Sequence, residues 1–234
     1  MNELIYILEA LIGFSTILLV YKFFGKLGLY FLIPIYLILA NTVTILLVQC
    51  WGMTMGLGVS YGMVFLCTDI LSEKYGKKSA NEAVRIGFVA MIIWLVLTQI
   101  ALLYIPHPDD WAKPLLSGIW YFLPRITLAS FCAYGVSQTL DVYLYHWIWE
   151  RTGDKYLWLR NNGGTLISQT VDGLIFTFVA FWGIWSKDVF IGIIISSFVM
   201  KYAMALVDTP FLYLAKKIIV KPEREVCLWE NENP

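Results

Sequence analysis

With 234 residues, 59% of them apolar, and a mean hydropathy of +0.69, this chain lies far from the composition of soluble domains. Its 17 basic and 17 acidic groups cancel, which leaves no electrostatic footprint for nucleic acid. No Pro-, Gly- or Ser-rich stretch divides it. Residues 1–234 therefore read as one domain: an all-α, polytopic helical membrane protein of six or seven transmembrane helices.

Seven apolar runs follow in chain order, roughly residues 3–21, 28–50, 54–72, 82–105, 117–149, 163–185 and 189–215. Each approaches or exceeds the roughly 17–25 residues that cross a hydrocarbon core of about 30 Å. The first is too long for a signal peptide and lacks a small-residue cleavage site, so it is expected to stay as a span. The third is the weakest, interrupted by Gly56, Gly58 and Gly62 and ending on acids. Too long for one straight crossing, the fifth carries Pro124 near its start, which predicts an interfacial segment or broken turn ahead of it.

Alternation of charge agrees with seven spans. One side collects Lys22, Lys26, Lys74, Lys77, Lys78, Arg85, Arg151, Lys155, Arg160, Lys216, Lys217, Lys221 and Arg224, and the other only Lys113 and Lys187. By the positive-inside rule the C-terminus is cytoplasmic and the N-terminus outside, in a multi-pass protein of the cell (inner) membrane.

Ionisable residues inside apolar runs are expensive and mark functional paths by default. Here they are Asp69, Arg125, Asp141, Asp172, Lys201 and Asp208, with Glu73 at a span end. The fifth run contains Ser137-Gln138-Thr139-Leu140-Asp141 and the sixth Ser168-Gln169-Thr170-Val171-Asp172, the same pattern twice in adjacent antiparallel helices. Counted from the shared loop, the two aspartates are expected at nearly equal depth. Spacings of three and four place Tyr134, Gln138, Asp141 and Tyr145 on one stripe, and Thr165, Gln169, Asp172 and Phe176 on another. The competing explanation is polar glue between helices. Lys201 and Asp208 stand seven apart and do not pair with each other; Lys201 is expected to neutralise Asp141 or Asp172, or simply to hold helices together. For Arg125 the alternative is snorkelling to the outer interface, and for Glu73 a solvated turn.

Catalytic patterns are missing. His107 and His146 are far apart, no HExxH, GxSxG or phosphate-binding glycine loop is present, and neither cofactor nor metal is implied. Cys50, Cys67, Cys132 and Cys227 form no CxxC pair, and Cys67 and Cys132 read as small buried hydrophobes. The chain does not read as an enzyme.

The run Thr68-Asp69-Ile70-Leu71-Ser72-Glu73-Lys74-Tyr75-Gly76-Lys77-Lys78 resembles the first signature of the queuosine-precursor (vitamin-uptake) transporter family. Arg125-Ile126 with Ala129-Ser130-Phe131, the first pentad with Val142, and Leu159-Arg160-Asn161-Asn162 continue the likeness. So do the second pentad with Ala180-Phe181-Trp182, and Lys201-Tyr202 followed by Asp208-Thr209-Pro210 and Tyr213. The resemblance covers about residues 30–215 and implies a helical core similar to the substrate-binding subunits of energy-coupling-factor importers. The family core has six spans, so residues 3–21 add another. It further implies uptake of 7-cyano-7-deazaguanine, 7-aminomethyl-7-deazaguanine or queuine, with no nucleic acid bound. The alternative is the membrane subunit of an ATP-driven importer for another vitamin-like or purine-like compound, with an ATPase module or a second copy as partner.

A deazaguanine presents N1–H and an exocyclic amine side by side, which one carboxylate accepts together, while its O6 accepts from an amide or a cation. Asp141 or Asp172 would then read the first edge, Gln138, Gln169 or Asn162 the carbonyl, and Tyr134, Phe176 or Trp182 the ring face. Lys201, Arg125, Asp69, Glu73 and Asp208 complete the candidate substrate-binding set.

Overall fold

Two helices are too long for single crossings. The computed structural model describes residues 1–220. In it α1 (Asn2–Val43) and α2 (Val59–Leu103) run 42 and 45 residues. Straight, each would reach about twice the bilayer core. Both instead break at a glycine, Gly25 at φ 57°, ψ −140° and Gly76 at φ 79°, ψ 176°. These conformations are open to glycine and strained for any residue with a Cβ. The Tyr36 hydroxyl donates to the Gly13 carbonyl 23 residues away at 3.3 Å, so α1 doubles back at Gly25. Likewise Tyr61 and Phe88, on opposite sides of Gly76, both pack on the Tyr134 ring.

These two helices therefore supply four legs (2–24, 26–43, 59–75 and 77–103), and α4 (Leu123–Thr152), α5 (Leu157–Phe181) and α6 (Lys187–Lys217) supply three more. All five helices are long and apolar enough to cross a membrane. The protein is a polytopic helical membrane protein, as its composition implies.

Residues 47–56 correct two boundaries. The runs 28–50 and 54–72 were expected to be helical throughout, but β1 (Leu47–Cys50) and β2 (Met53–Gly56) pair antiparallel, Leu47 opposite Gly56 and Cys50 opposite Met53. Trp51 and Gly52, both at positive φ, turn the hairpin. Short apolar segments look alike in helix and strand by periodicity, which is why the sequence alone merged them with the spans.

The break expected before Pro124 is present. Helix α3 (Ala112–Trp120) buries no residue, and Pro124 sits in the first turn of α4, where a missing N–H is tolerated. A 3₁₀ turn, Gly153–Tyr156, folds α5 back along α4.

The Gly25 and Gly76 turns, the 3₁₀ turn and the end of α6 gather at one end. Lys26 lies over the Tyr75 ring, Lys74 donates to the Lys216 carbonyl, and Tyr145 and Lys216 both reach Glu73. We call this the basic end; the β-hairpin, α3 and the α5–α6 turn form the other, or hairpin end. Phe14, Ile17, Leu29, Ile33, Val64, Leu66 and Ile70 fill the interior, while Ile92, Ile93, Val96 and Leu97 face outward, as lipid-facing residues do. Cys67 is buried as expected, but Cys132 is exposed on the outer face of α4, where a thiol meets lipid at little penalty. Lys221, Arg224 and Cys227 lie outside the described residues, as do the side chains of Arg160 and Thr165.

Candidate substrate cavity

Antiparallel packing of α4 on α5 decides how the two pentads meet. Ser168 Oγ donates to Asp141 Oδ1 at 2.6 Å, and Ser137 Oγ donates to Asp172 Oδ1 at 3.0 Å. Each serine clasps the aspartate of the opposite pentad. The aspartates are therefore not at equal depth: they stand one turn apart, about 6 Å along the axis. The expectation failed because α4 runs on to Thr152 and α5 starts at Leu157, both beyond the apolar runs. Asp172 shifts toward the hairpin end and Asp141 toward the basic end.

Asp172 is 2% exposed and holds three protein donors. Lys201 from α6 forms an ion pair with its Oδ2, while the Tyr61 hydroxyl (2.8 Å) and Ser137 share Oδ1. The Lys201 ammonium also lies 5.3 Å from the Tyr61 ring centre.

This pair faces a cavity of about 640 Å³, its mouth included, lined among others by Asn41, Tyr61, Ser130, Asp172, Phe176 and Lys201. A neighbouring pocket of about 450 Å³ shares Tyr61 and Lys201 and adds Gln169 and Ser196. Gly56 and Gly58 border both, and Ser196 Oγ donates to the Thr54 carbonyl at 2.9 Å, so the β-hairpin roofs the region.

Of the sequence candidates, the structure brings Asp172, Phe176, Gln169 and Lys201 to these walls. Others lie toward the basic end. Gln138 donates to Thr68 Oγ1; Asn161 donates to Asp208 Oδ1 at 3.1 Å; Asn162 donates to Thr209 at 2.9 Å. Asp69 stands beside Asp141, and Glu73 takes Tyr145 and Lys216, each at 2.6 Å. Tyr134 is fully buried between Tyr61 and Phe88 and lines neither space.

Arg125 is set apart at the hairpin end. Its guanidinium donates to the Val179 carbonyl at 3.0 Å and to the Trp182 carbonyl at 2.5 Å, satisfying the C-terminal carbonyls of α5.

Sequence reasoning passed over Asn41, Tyr61 and Thr177, and took Ser130 and Phe181 only as part of the resemblance, not as cavity residues. Asn41 was detectable as an amide inside the apolar run 28–50; its Oδ1 accepts from Ser130 at 2.5 Å. Tyr61 carries no such signal, because a tyrosine near a glycine-rich segment reads equally well as an interface anchor.

Seven apolar legs around a buried ion pair, with a cavity opening beside it, define a membrane transport protein. The chain belongs to the family described as "Putative vitamin uptake transporter", whose model matches residues 54–215. It is 43% identical over 225 residues, 95% of this chain and 98% of the relative, to the "Probable queuosine precursor transporter" of Bacillus subtilis (strain 168). It is 31% identical over 134 residues, 56% of this chain and 55% of the relative, to the "Queuosine precursor transporter" of Escherichia coli (strain K12). No solved structure matches it.

Proposed function

We propose that the chain carries a queuosine precursor inward across the cell membrane: 7-cyano-7-deazaguanine, its aminomethyl analogue or queuine. The observation that carries this reading is the juxtaposition of Asp172 and Lys201 at the wall of one cavity beside Phe176. A carboxylate accepts N1–H and the exocyclic amine together, the ammonium donates to O6, and the phenyl ring covers the base. Asp172 is favoured over Asp141 for this task because it borders the cavity.

Asp172 Oδ1 already accepts two hydroxyls, so two-point recognition displaces one of them. Tyr61, which borders the cavity, is the one free to swing. Asn41 and Ser130 supply further polar contacts across the space. No bond of the substrate is made or broken in this scheme, and the chain acts as a carrier rather than an enzyme. Thirteen basic residues on one side in the sequence support a cytoplasmic basic end and C-terminus, with the hairpin and the cavity mouth outside.

Cells stripped of their own uptake route and of any energy-coupling ATPase module, then given this chain, test the reading. Labelled 7-cyano-7-deazaguanine should accumulate, with queuine competing. Uptake that required an ATPase module would instead make the chain the binding subunit of an ATP-driven importer. Failure to retain any 7-deazaguanine with or without the module would overturn the assignment. For orientation, single cysteines on a cysteine-free background should label at position 113 from outside only; labelling from the cytoplasmic face alone would reverse it.

A further inference from the structure

Building on the transport of a deazaguanine proposed above, we infer that Asp69 is a proton-binding site and that a proton moves inward with each molecule of base. Asp69 is 1% exposed, on the leg 59–75, eight residues or about 12 Å nearer the basic end than Tyr61. Its carboxyl stands beside that of Asp141, and Asp208 is close enough to act on both. Three buried carboxyls this close cannot all stay ionised, so the cluster has to hold a proton. Among the described residues Asp69 has no ion pair; a buried carboxylate left in that state is too costly to persist.

A second observation points to the same ligand. Asp69 Oδ2, Gln138 Oε1 and Asn161 Oδ1 are all buried acceptors with no donor among the described residues. The amide nitrogen of Gln138 is turned to Thr68, beside Asp69, and that of Asn161 to Asp208. Every orphan in this layer is an oxygen, so the layer lacks hydrogens, not acceptors.

The surroundings give the proton an exit and a link to the cavity. From its own leg Asp69 meets Cys67 and Glu73. From α4 comes Asp141 and from α6 Asp208, while Tyr145 and Lys216 meet Glu73 and α1 places Tyr36 by Cys67. On α5, Arg160 immediately precedes Asn161. Glu73, one turn on from Asp69, reaches Tyr145 and Lys216 at the basic end. Toward the cavity, Gln138 holds Thr68 while the adjacent Ser137 holds Asp172. Base engaging Asp172 thus acts on the same turn of α4 that closes over Asp69. Entering from the cavity side, the proton forms an O–H bond on Asp69; that bond breaks as the proton leaves toward Glu73 and the basic end, and no electrons move.

Purified full-length chain in proteoliposomes tests this, with labelled 7-cyano-7-deazaguanine as the probe and a pH dye sealed inside. Counterflow without any gradient reports base transport alone. An acid-outside gradient should concentrate the base roughly tenfold per pH unit for one proton carried. The dye should record acidification that needs base, a protonophore should abolish accumulation, and exchanging sodium for potassium should change nothing. Asp69→Asn should lose gradient-driven accumulation and the base-dependent dye signal, Asp69→Glu should retain both, and coupling intact in Asp69→Asn would overturn the assignment to Asp69. Counterflow in the wild type with no gradient response and no dye signal, or accumulation that follows sodium, would overturn the inference. Absence of counterflow in the wild type would instead sink the transport reading. Should Asp69→Asn fail to fold, the wild-type dye trace decides alone.

Discussion

At the hairpin end, Asp172 faces Lys201, with two hydroxyls completing the carboxylate's shell, and the pair borders open space. Toward the basic end, Asp69 leans on Asp141 with Asp208 nearby, sealed among amide side chains. Both layers grow from the same repeated pentad, offset by one turn through the α4–α5 hairpin. The difference lies in what the other legs contribute: α6 brings a lysine to one layer and an aspartate to the other, seven residues later on the same face. In the scheme proposed above, one repeat serves both the layer that takes the ligand and the layer that takes the proton.

The largest effect that could break this comparison comes from the ion pair. Removing one partner of a buried pair leaves a charge uncompensated and costs about 3 kcal/mol or more. Lys201→Met should lower thermal stability by that order and abolish base binding. The double variant Lys201→Met/Asp172→Asn should recover stability without recovering binding. Asp172→Asn alone keeps one acceptor where two are needed, at a penalty of about 1–3 kcal/mol. Uptake at low substrate should fall by roughly ten- to a hundredfold. Asp141→Asn should leave the ligand-induced thermal shift intact, and losing that shift equally in both aspartate variants would erase the distinction between the layers.

How much of this was legible in the sequence divides along the same line. Apolar length located the spans, and basic residues located the ends, since both follow from the bilayer as solvent. Asp172 and Lys201 were visible as charges where charges are expensive. Their exclusive pairing was not, because it depends on the hairpin register, which shifted when α4 and α5 outran their apolar cores. Arg125 is a different case: the resemblance put it in the candidate set, and the structure shows its guanidinium donating to α5 carbonyls, a partner no sequence pattern announces. The β-hairpin was lost because four-residue strands carry too little periodicity to separate from a helix end.

A smaller effect sharpens the ligand's place. Phe176 lines the larger cavity one turn from Asp172 on α5, positioned to cover the base. Stacking of a base on an aromatic ring is worth about 1–3 kcal/mol, so Phe176→Ala should weaken binding roughly tenfold while Phe176→Tyr retains it. Tyr134, buried and off the cavity, gives the contrast: Tyr134→Phe should leave affinity unchanged in the same titration.

The smallest effect tests the hydroxyl that base must displace. In the resting arrangement Tyr61 donates to Asp172 Oδ1 at 2.8 Å, and Ser137 donates to the same oxygen from the buried side. An incoming N–H competes with Tyr61 for that oxygen, so part of the binding energy goes to breaking a hydrogen bond whose net worth is about 0.5–1.5 kcal/mol. Tyr61→Phe keeps the ring under Lys201 and removes only that competition. Affinity measured by titration should rise by a few-fold, on the order of 1 kcal/mol. Ser137→Ala, which strips a donor the bound state retains, should instead lower it by a similar factor. Both substitutions shifting affinity in the same direction would show that Tyr61 and Ser137 play one role. In that case the carboxylate would be held by fixed hydroxyls, with no swing at Tyr61.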